Sequence, residues 1–302
     1  PFASALVKHG MAHENVVVVT NDLTASCEAD EFASTFPDRF ISAGMAEQGL
    51  VLALSGLARE GLIPIFPSFA VFTTRRPYEQ IALTIAYPNL PVRLFGFLPG
   101  LTTPGGVSHQ ATDDIGLMKQ LPNMTVIVPA DFNQTKQATI AIAKHYGPVY
   151  LRFGRPVMPI FVKPDAEFII GKADVLQEGT DVTIIACGHL VWKSIEAAKI
   201  LSEQGISVEL INMHTIKPLD AAAILKSVAK TSCVVTAEEH MRNGGLGEAV
   251  AQVLGEHLPR PHEFVAVNDT FGESGSPMEL MTKYGIDTQN VVAAALKAIS
   301  RK

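Results

Sequence analysis

Short runs of β-branched and aromatic residues alternate with helical patterns from one end of the chain to the other. Residues 16–20, 63–66, 92–95, 125–128 and 149–153 read as strands, and a second set follows at 182–186, 208–211, 233–237 and 264–267. Most of these runs are continuously apolar rather than alternating. Strands covered by helices on both faces look like this, so the sheets are expected to be mainly parallel. Helical segments lie between them. One is 194–204, with Ile195, Ala198 and Leu201 on one face and Gly205 as its stop. Another, 44–59, is apolar almost all round after its first turn, and such a helix must be buried by the fold or by a partner chain. The punctuation changes at 154–165, where Gly154, Pro156, Pro159 and Pro164 fall in a stretch that cannot sustain a helix or a central strand. The expected architecture is α/β, with two consecutive three-layer domains at 1–160 and 166–302.

Composition narrows the class. The 302 residues are 47% apolar and 18% charged, which suits buried cores and excludes a disordered chain. A net charge of −6 disfavours nucleic acid and anionic membrane as partners, because both call for concentrated basic surface. The longest strongly apolar run, 50–58, falls well short of the ~20 residues that span a bilayer. No basic start followed by an apolar stretch marks a secretion signal. The three cysteines, Cys27, Cys187 and Cys233, are far apart and odd in number. They form no disulfide framework and no CxxC metal clip, so a cytoplasmic location is expected.

Three places carry candidate chemistry. Glu47 sits in the first turn of the apolar helix. It reads either as a carboxylate offsetting the helix dipole, which lowers its pKa, or as a buried acid with a raised pKa, poised to exchange a proton with a ligand. Phe69 and Phe72 follow the strand at 63–66, three residues apart on one helical face. They read as core packing or as an apolar platform for a flat heteroaromatic ring. The loop 99–110, with three glycines and two prolines, delivers His109 beyond a strand end, a favoured place for catalysis. Weaker patterns read as structure. His9 and His13 lack further ligands and suit a solvated helix face. Glu238-Glu239-His240 reads as a loop after a strand. Gly244-Gly245-Leu246-Gly247 has Val250 where a dinucleotide fingerprint needs a third glycine, and Gly272-Glu273-Ser274-Gly275-Ser276 ends in serine where a nucleophile elbow needs glycine.

In order and spacing, a set of motifs along nearly the whole chain resembles the C-terminal half of transketolases. They are Asp22-Leu23-Thr24-Ala25-Ser26, the run from Arg39 to Glu47, the Phe69/Phe72 cluster, Gly106-Val107-Ser108-His109-Gln110, Val128-Pro129-Ala130-Asp131, Ile216-Lys217-Pro218-Leu219-Asp220 and Glu238-Glu239-His240. The resemblance implies a pyrimidine-binding domain for thiamine diphosphate followed by a transketolase C-terminal domain. It implies that Glu47 hydrogen-bonds the aminopyrimidine ring nitrogen, favouring the imino tautomer that removes the thiazolium proton. To do so Glu47 must carry or share a proton. Phe69 and Phe72 match the aromatic wall beside the pyrimidine. Arg75 matches a cofactor-side position that is aromatic in many transketolases and arginine in deoxyxylulose-phosphate synthases. His109 matches a substrate-contacting histidine, and Ser26 and Arg155 match sugar-phosphate ligands.

Two positions depart from the family. Phe97 stands where a phosphate-binding histidine is usual, and Gly105 where an acid reads a sugar hydroxyl, so the sugar site is expected to be altered. The family's Gly-Asp-Gly motif for diphosphate and metal does not occur in the sequence. The resemblance therefore implies a split enzyme: an N-terminal subunit would hold the Mg²⁺ or Ca²⁺, this chain would contribute no metal ligand, and two copies of each chain would form a heterotetramer acting on sugars or sugar phosphates. Rival readings are the beta subunit of a 2-oxo acid dehydrogenase first component, half of a deoxyxylulose-phosphate-type synthase, and a non-catalytic stabilising module.

Overall fold

A computed structural model describes residues 2–103, 105–154 and 158–302. Twelve strands are found among them. They are β1 (Val16–Thr20), β2 (Phe40–Ser42), β3 (Ile63–Phe69), β4 (Arg93–Phe97), β5 (Thr125–Ile127), β6 (Val149–Phe153), β7 (Asp174–Gln177), β8 (Val182–Ala186), β9 (Val208–Asn212), β10 (Thr215–Lys217), β11 (Val234–Met241) and β12 (His262–Val267). They form a seven-stranded sheet in the order β10-β5-β6-β4-β3-β1-β2 and a five-stranded sheet in the order β12-β11-β8-β9-β7. Among these strands every pairing is parallel except β10 with β5 and β7 with β9.

The continuous apolar runs are explained by burial on both faces. In the first sheet Phe66, Leu94, Val126 and Tyr150 face one core, while Ile65, Phe95, Ile127 and Leu151 face the other. In the second sheet Ile185, Ile211 and Val234 join the first of these cores, and Ile184, Leu210 and Val235 line a third. One hydrophobic core therefore runs between the two sheets and is shared by them. The backbone crosses between them as well: β10 comes from the second half of the chain and lies antiparallel on β5 at the edge of the first sheet.

Some expectations change in detail. β2, β7 and β10 were not legible, because each is three or four residues long and carries little apolar pattern. β11 runs on to Met241, so Glu238-Glu239-His240 is the buried end of a strand and not a loop; the charges there are internally partnered. The following helix, Leu246–His257, starts at Leu246 because Glu238 accepts the N–H groups of Leu246 and Gly247, which caps it. His9 is buried, not solvated, and its ring packs against His13 at 4.9 Å between centroids.

The apolar helix spans Glu47–Arg59. The fold covers only one side of it, through Leu50, Val51, Leu54, Ser55 and Ala58. On the other side Leu52 is 49% exposed and Met45, just before the helix, 81%. Gly49 and Gly56 share that open side, with nothing within 4 Å of where a side chain would begin.

Candidate functional site

The site grows from the carboxyl ends of β1 and β3, where a parallel sheet splays and leaves a crevice. Asn21 follows β1, Ser68 lies at the end of β3, and Glu47 opens the apolar helix. These three form a buried chain of hydrogen bonds. The Ser68 hydroxyl donates to Asn21 Oδ1 at 2.8 Å, and Asn21 Nδ2 donates to Glu47 Oε1 at 2.7 Å. Arg76 Nη1 donates to the same oxygen at 3.0 Å. Glu47 is 2% exposed.

That geometry sets the direction in which the Glu47 carboxyl is shifted. Burial is the largest single influence and pushes its carboxyl up. The Asn21 amide, its own backbone N–H and the Arg76 guanidinium together outweigh burial, and the net shift is downward from the ordinary carboxylate value. Taken by itself the chain holds Glu47 as an ionised acceptor. Arg76 is the influence that the sequence leaves out, since pattern alone weighs only dipole against desolvation.

An aromatic wall stands beside this acid. Phe69 and Phe72 stack with centroids 6.0 Å apart and planes 26° from parallel. The His109 ring meets both edge-on, at 5.9 and 5.5 Å. Arg76 lies over the Phe72 face at 4.3 Å, which links the wall to the acid. Ser108 Oγ is 2.9 Å from His109 Nδ1. Gly105 lies under His109: a Cβ there would stand 2.6 Å from His109 Cβ, so the acid usual at this position has no room in this loop conformation.

The remaining predicted residues fall elsewhere. Arg75 does not reach Glu47; its Nε donates to both oxygens of Asp113, at 2.8 and 2.9 Å, and the neighbouring Arg76 makes the Glu47 contact. Ser26 lines a separate cavity of about 360 Å³, with Phe97, Asp131, Phe153, Gly154 and Met158 among its walls. Phe97 is held there by Phe2 and Phe153, at 5.2 and 4.9 Å between centroids. Arg155 lies outside the described residues. Among the described residues no group of three or more His, Cys, Asp or Glu side chains is placed to hold a metal ion, and no helix is long and apolar enough to cross a membrane. Asn21 and Arg76 went unnoticed in the sequence. The signal for Asn21 was its place directly after a strand end.

Comparison with known proteins gives consistent matches over the whole chain. The transketolase pyrimidine-binding domain matches residues 2–159, and the transketolase C-terminal domain matches residues 171–291. A 6-deoxy-6-sulfo-D-fructose transketolase subunit from a Clostridium species is 40% identical over 303 residues, covering 100% of this chain and 94% of that protein. An apulose-4-phosphate transketolase subunit from Phocaeicola vulgatus is 33% identical, covering 99% of this chain and 96% of that protein. A solved structure described as a split gene transketolase, inactive beta4 tetramer, is 44% identical and superposes with a TM-score of 0.94, covering 100% of this chain and 97% of that one.

Proposed function

This chain belongs to the transketolase family, and from that premise we propose that it is the C-terminal subunit of a split, thiamine-diphosphate-dependent transketolase. It would transfer a two-carbon ketol unit from a ketose or ketose phosphate to an aldose acceptor, and only together with an N-terminal subunit. The observation that carries this reading is one buried carboxyl, Glu47, set beside the stacked Phe69 and Phe72 at the mouth of a parallel sheet.

These residues suit the cofactor's pyrimidine ring. The phenyl wall offers a flat apolar face, and Glu47 offers a single buried oxygen acid for a ring nitrogen. When bound, thiamine diphosphate supplies the electron sink for breaking and making the carbon–carbon bond beside a ketone. The chain's own part is to orient the ring and to hold a proton at a Glu47 oxygen. Glu47 is already buried, so a change in its hydrogen-bond partners is what would let the upward push of burial prevail. Loss of the Arg76 contact on assembly would act in the same direction. His109 has Nδ1 engaged by Ser108, leaving Nε2 for a substrate oxygen. Ser26 is assigned to the far end of the sugar, where Phe97 makes the cavity more apolar than a phosphate alone calls for, and the family resemblance assigns Arg155 the same role. The diphosphate and its Mg²⁺ or Ca²⁺ are assigned to the partner, since this sequence has no Gly-Asp-Gly motif. Two copies of each chain, the division at 160–166 and a cytoplasmic location complete the proposal.

The test is to mix the chain with its N-terminal partner, thiamine diphosphate and Mg²⁺, and to compare ketol transfer with 2-oxo acid decarboxylation. Ketol transfer by the mixture and by neither chain alone is the expected result. Decarboxylation alone would replace the reading with a dehydrogenase component, and no turnover in either assay would leave a non-catalytic module.

A further inference from the structure

The loop that carries His109 is held at both ends by the second half of the chain. At its start, Thr102 N–H donates to Glu239 Oε1 at 2.8 Å. Glu239 projects from β11, the strand next to the edge of the second sheet, and is 3% exposed. Gly100 lies flush on the same carboxylate: its φ is +71°, and a Cβ there would come within 2.3 Å of Glu239 Oε1. At the loop's end, Gln110 Nε2 donates to Glu273 O at 2.9 Å, again from the second half. The tip between these anchors closes on itself, with His109 N–H donating to Gly106 O at 2.9 Å.

Glu239 is itself locked. Arg152 Nη2 donates to the Glu239 carbonyl oxygen at 2.8 Å and, through Nε, to Asp114 Oδ2 at 2.7 Å. A buried carboxylate accepting a loop N–H is an expensive way to close a domain contact unless the loop's position matters, because removing either partner strands a buried polar group.

We propose that Glu239 is a positioning residue for the reaction: from the second sheet it fixes the base of the 99–110 loop and thereby the place of His109 against the Phe69/Phe72 wall. This rests on the reading of His109 as a substrate-contacting group. It assigns to the second half of the chain a direct mechanical part in the site, although none of the candidate site residues lies there.

Hydrogen exchange on the chain by itself gives the first readout. In Glu239→Ala the amides of 99–110 should exchange about tenfold faster than in the unaltered chain, and Glu239→Gln, whose amide oxygen can still accept from Thr102, should restore most of the protection. Unchanged exchange in Glu239→Ala would overturn the proposal, whatever the chain catalyses. The second readout is kinetic, in the complex with the N-terminal partner. Glu239→Ala should lower kcat by about ten- to a hundredfold. Thiamine diphosphate should bind as before, since Glu47 and the phenyl wall sit on other elements. Faster loop exchange with undiminished kcat would also overturn it. Gly100→Ala presses on the same contact from the loop side and should reproduce both effects, which keeps the test intact if Glu239→Ala does not fold. Absence of ketol transfer by the unaltered complex would instead defeat the functional proposal and leave the exchange result standing.

Discussion

Glu47 is where opposed influences on a single carboxyl meet, and its surroundings decide the outcome. Replacing it with glutamine keeps the shape and removes the titrating proton, so Glu47→Gln should lower turnover of the assembled enzyme ~10²–10⁴-fold with the thermal midpoint nearly unchanged. Near-normal turnover would take Glu47 out of the reaction. Arg76→Ala removes one of the two side chains that hold Glu47 ionised. Burial then weighs more, and the Glu47 midpoint should move up, as read by carboxyl carbon NMR against pH. Glu47, Phe69, Phe72 and His109 could be singled out in the sequence because each sits at a strand end, a helix start or a glycine-rich loop, and the fold brings the four together. Arg75 was named from the family resemblance and its neighbour Arg76 was passed over, because in a turn successive side chains diverge and spacing does not say which one points inward. Asn21 also follows a strand end, but it stands between Thr20 and Asp22, and nothing in that polar run singles it out.

The elements themselves followed hydrophobic pattern wherever burial was two-sided. The five apolar runs of the first half all became strands of one sheet, with ends shifted by at most three residues. What escaped was short or charged. β11 hides Glu238, Glu239 and His240 near its end, and three polar residues in a row look like surface until their partners are known. Those partners lie far away in the chain: His240 Nε2 accepts from Gly116 N–H at 3.1 Å, and Arg152 bridges β6 to both Asp114 and β11. Asp114 is fully buried, which pushes its carboxyl up, but Arg152, His240 and the Tyr150 hydroxyl, which donates to it at 2.6 Å, outweigh burial and hold it below the usual carboxylate range. Arg152→Leu would leave that carboxylate buried without its cation, and a loss of about 3–5 kcal/mol in denaturant unfolding is expected. A loss under about 1 kcal/mol would mean that the network relaxes freely.

On the scale of the whole molecule, stability should depend on acid in a defined window. Burial holds His9, His214 and His262 down to pKa values of about 4, against 6.5 for the free side chain. The unfolded chain therefore takes up protons between pH 6.5 and 4 that the folded chain refuses. The stability these three rings contribute is complete above that window and falls as pH drops through it, on the order of 2–3 kcal/mol for each histidine. Melting curves from about pH 7.5 to about pH 4.5 check this; a flat profile would mean the three rings open to water. The open side of the helix Glu47–Arg59 makes a second expectation, since sequence pattern called for burial all round and the fold supplies half of it. Leu52→Asp should leave the melting point of the chain nearly unaltered and weaken its association with other chains, as read by sedimentation. The strand β10 has a different kind of consequence. Without it β5 would be an open edge, a template for stray pairing, so the second half of the chain closes the first sheet with a strand of its own. A protease cut between β6 and β7 should then release nothing: the severed pieces would travel as one particle. Hybrids spliced at that point from two relatives would have to match one parent's β5 to the other's β10, so the two halves should work as a fitted pair rather than as interchangeable cassettes.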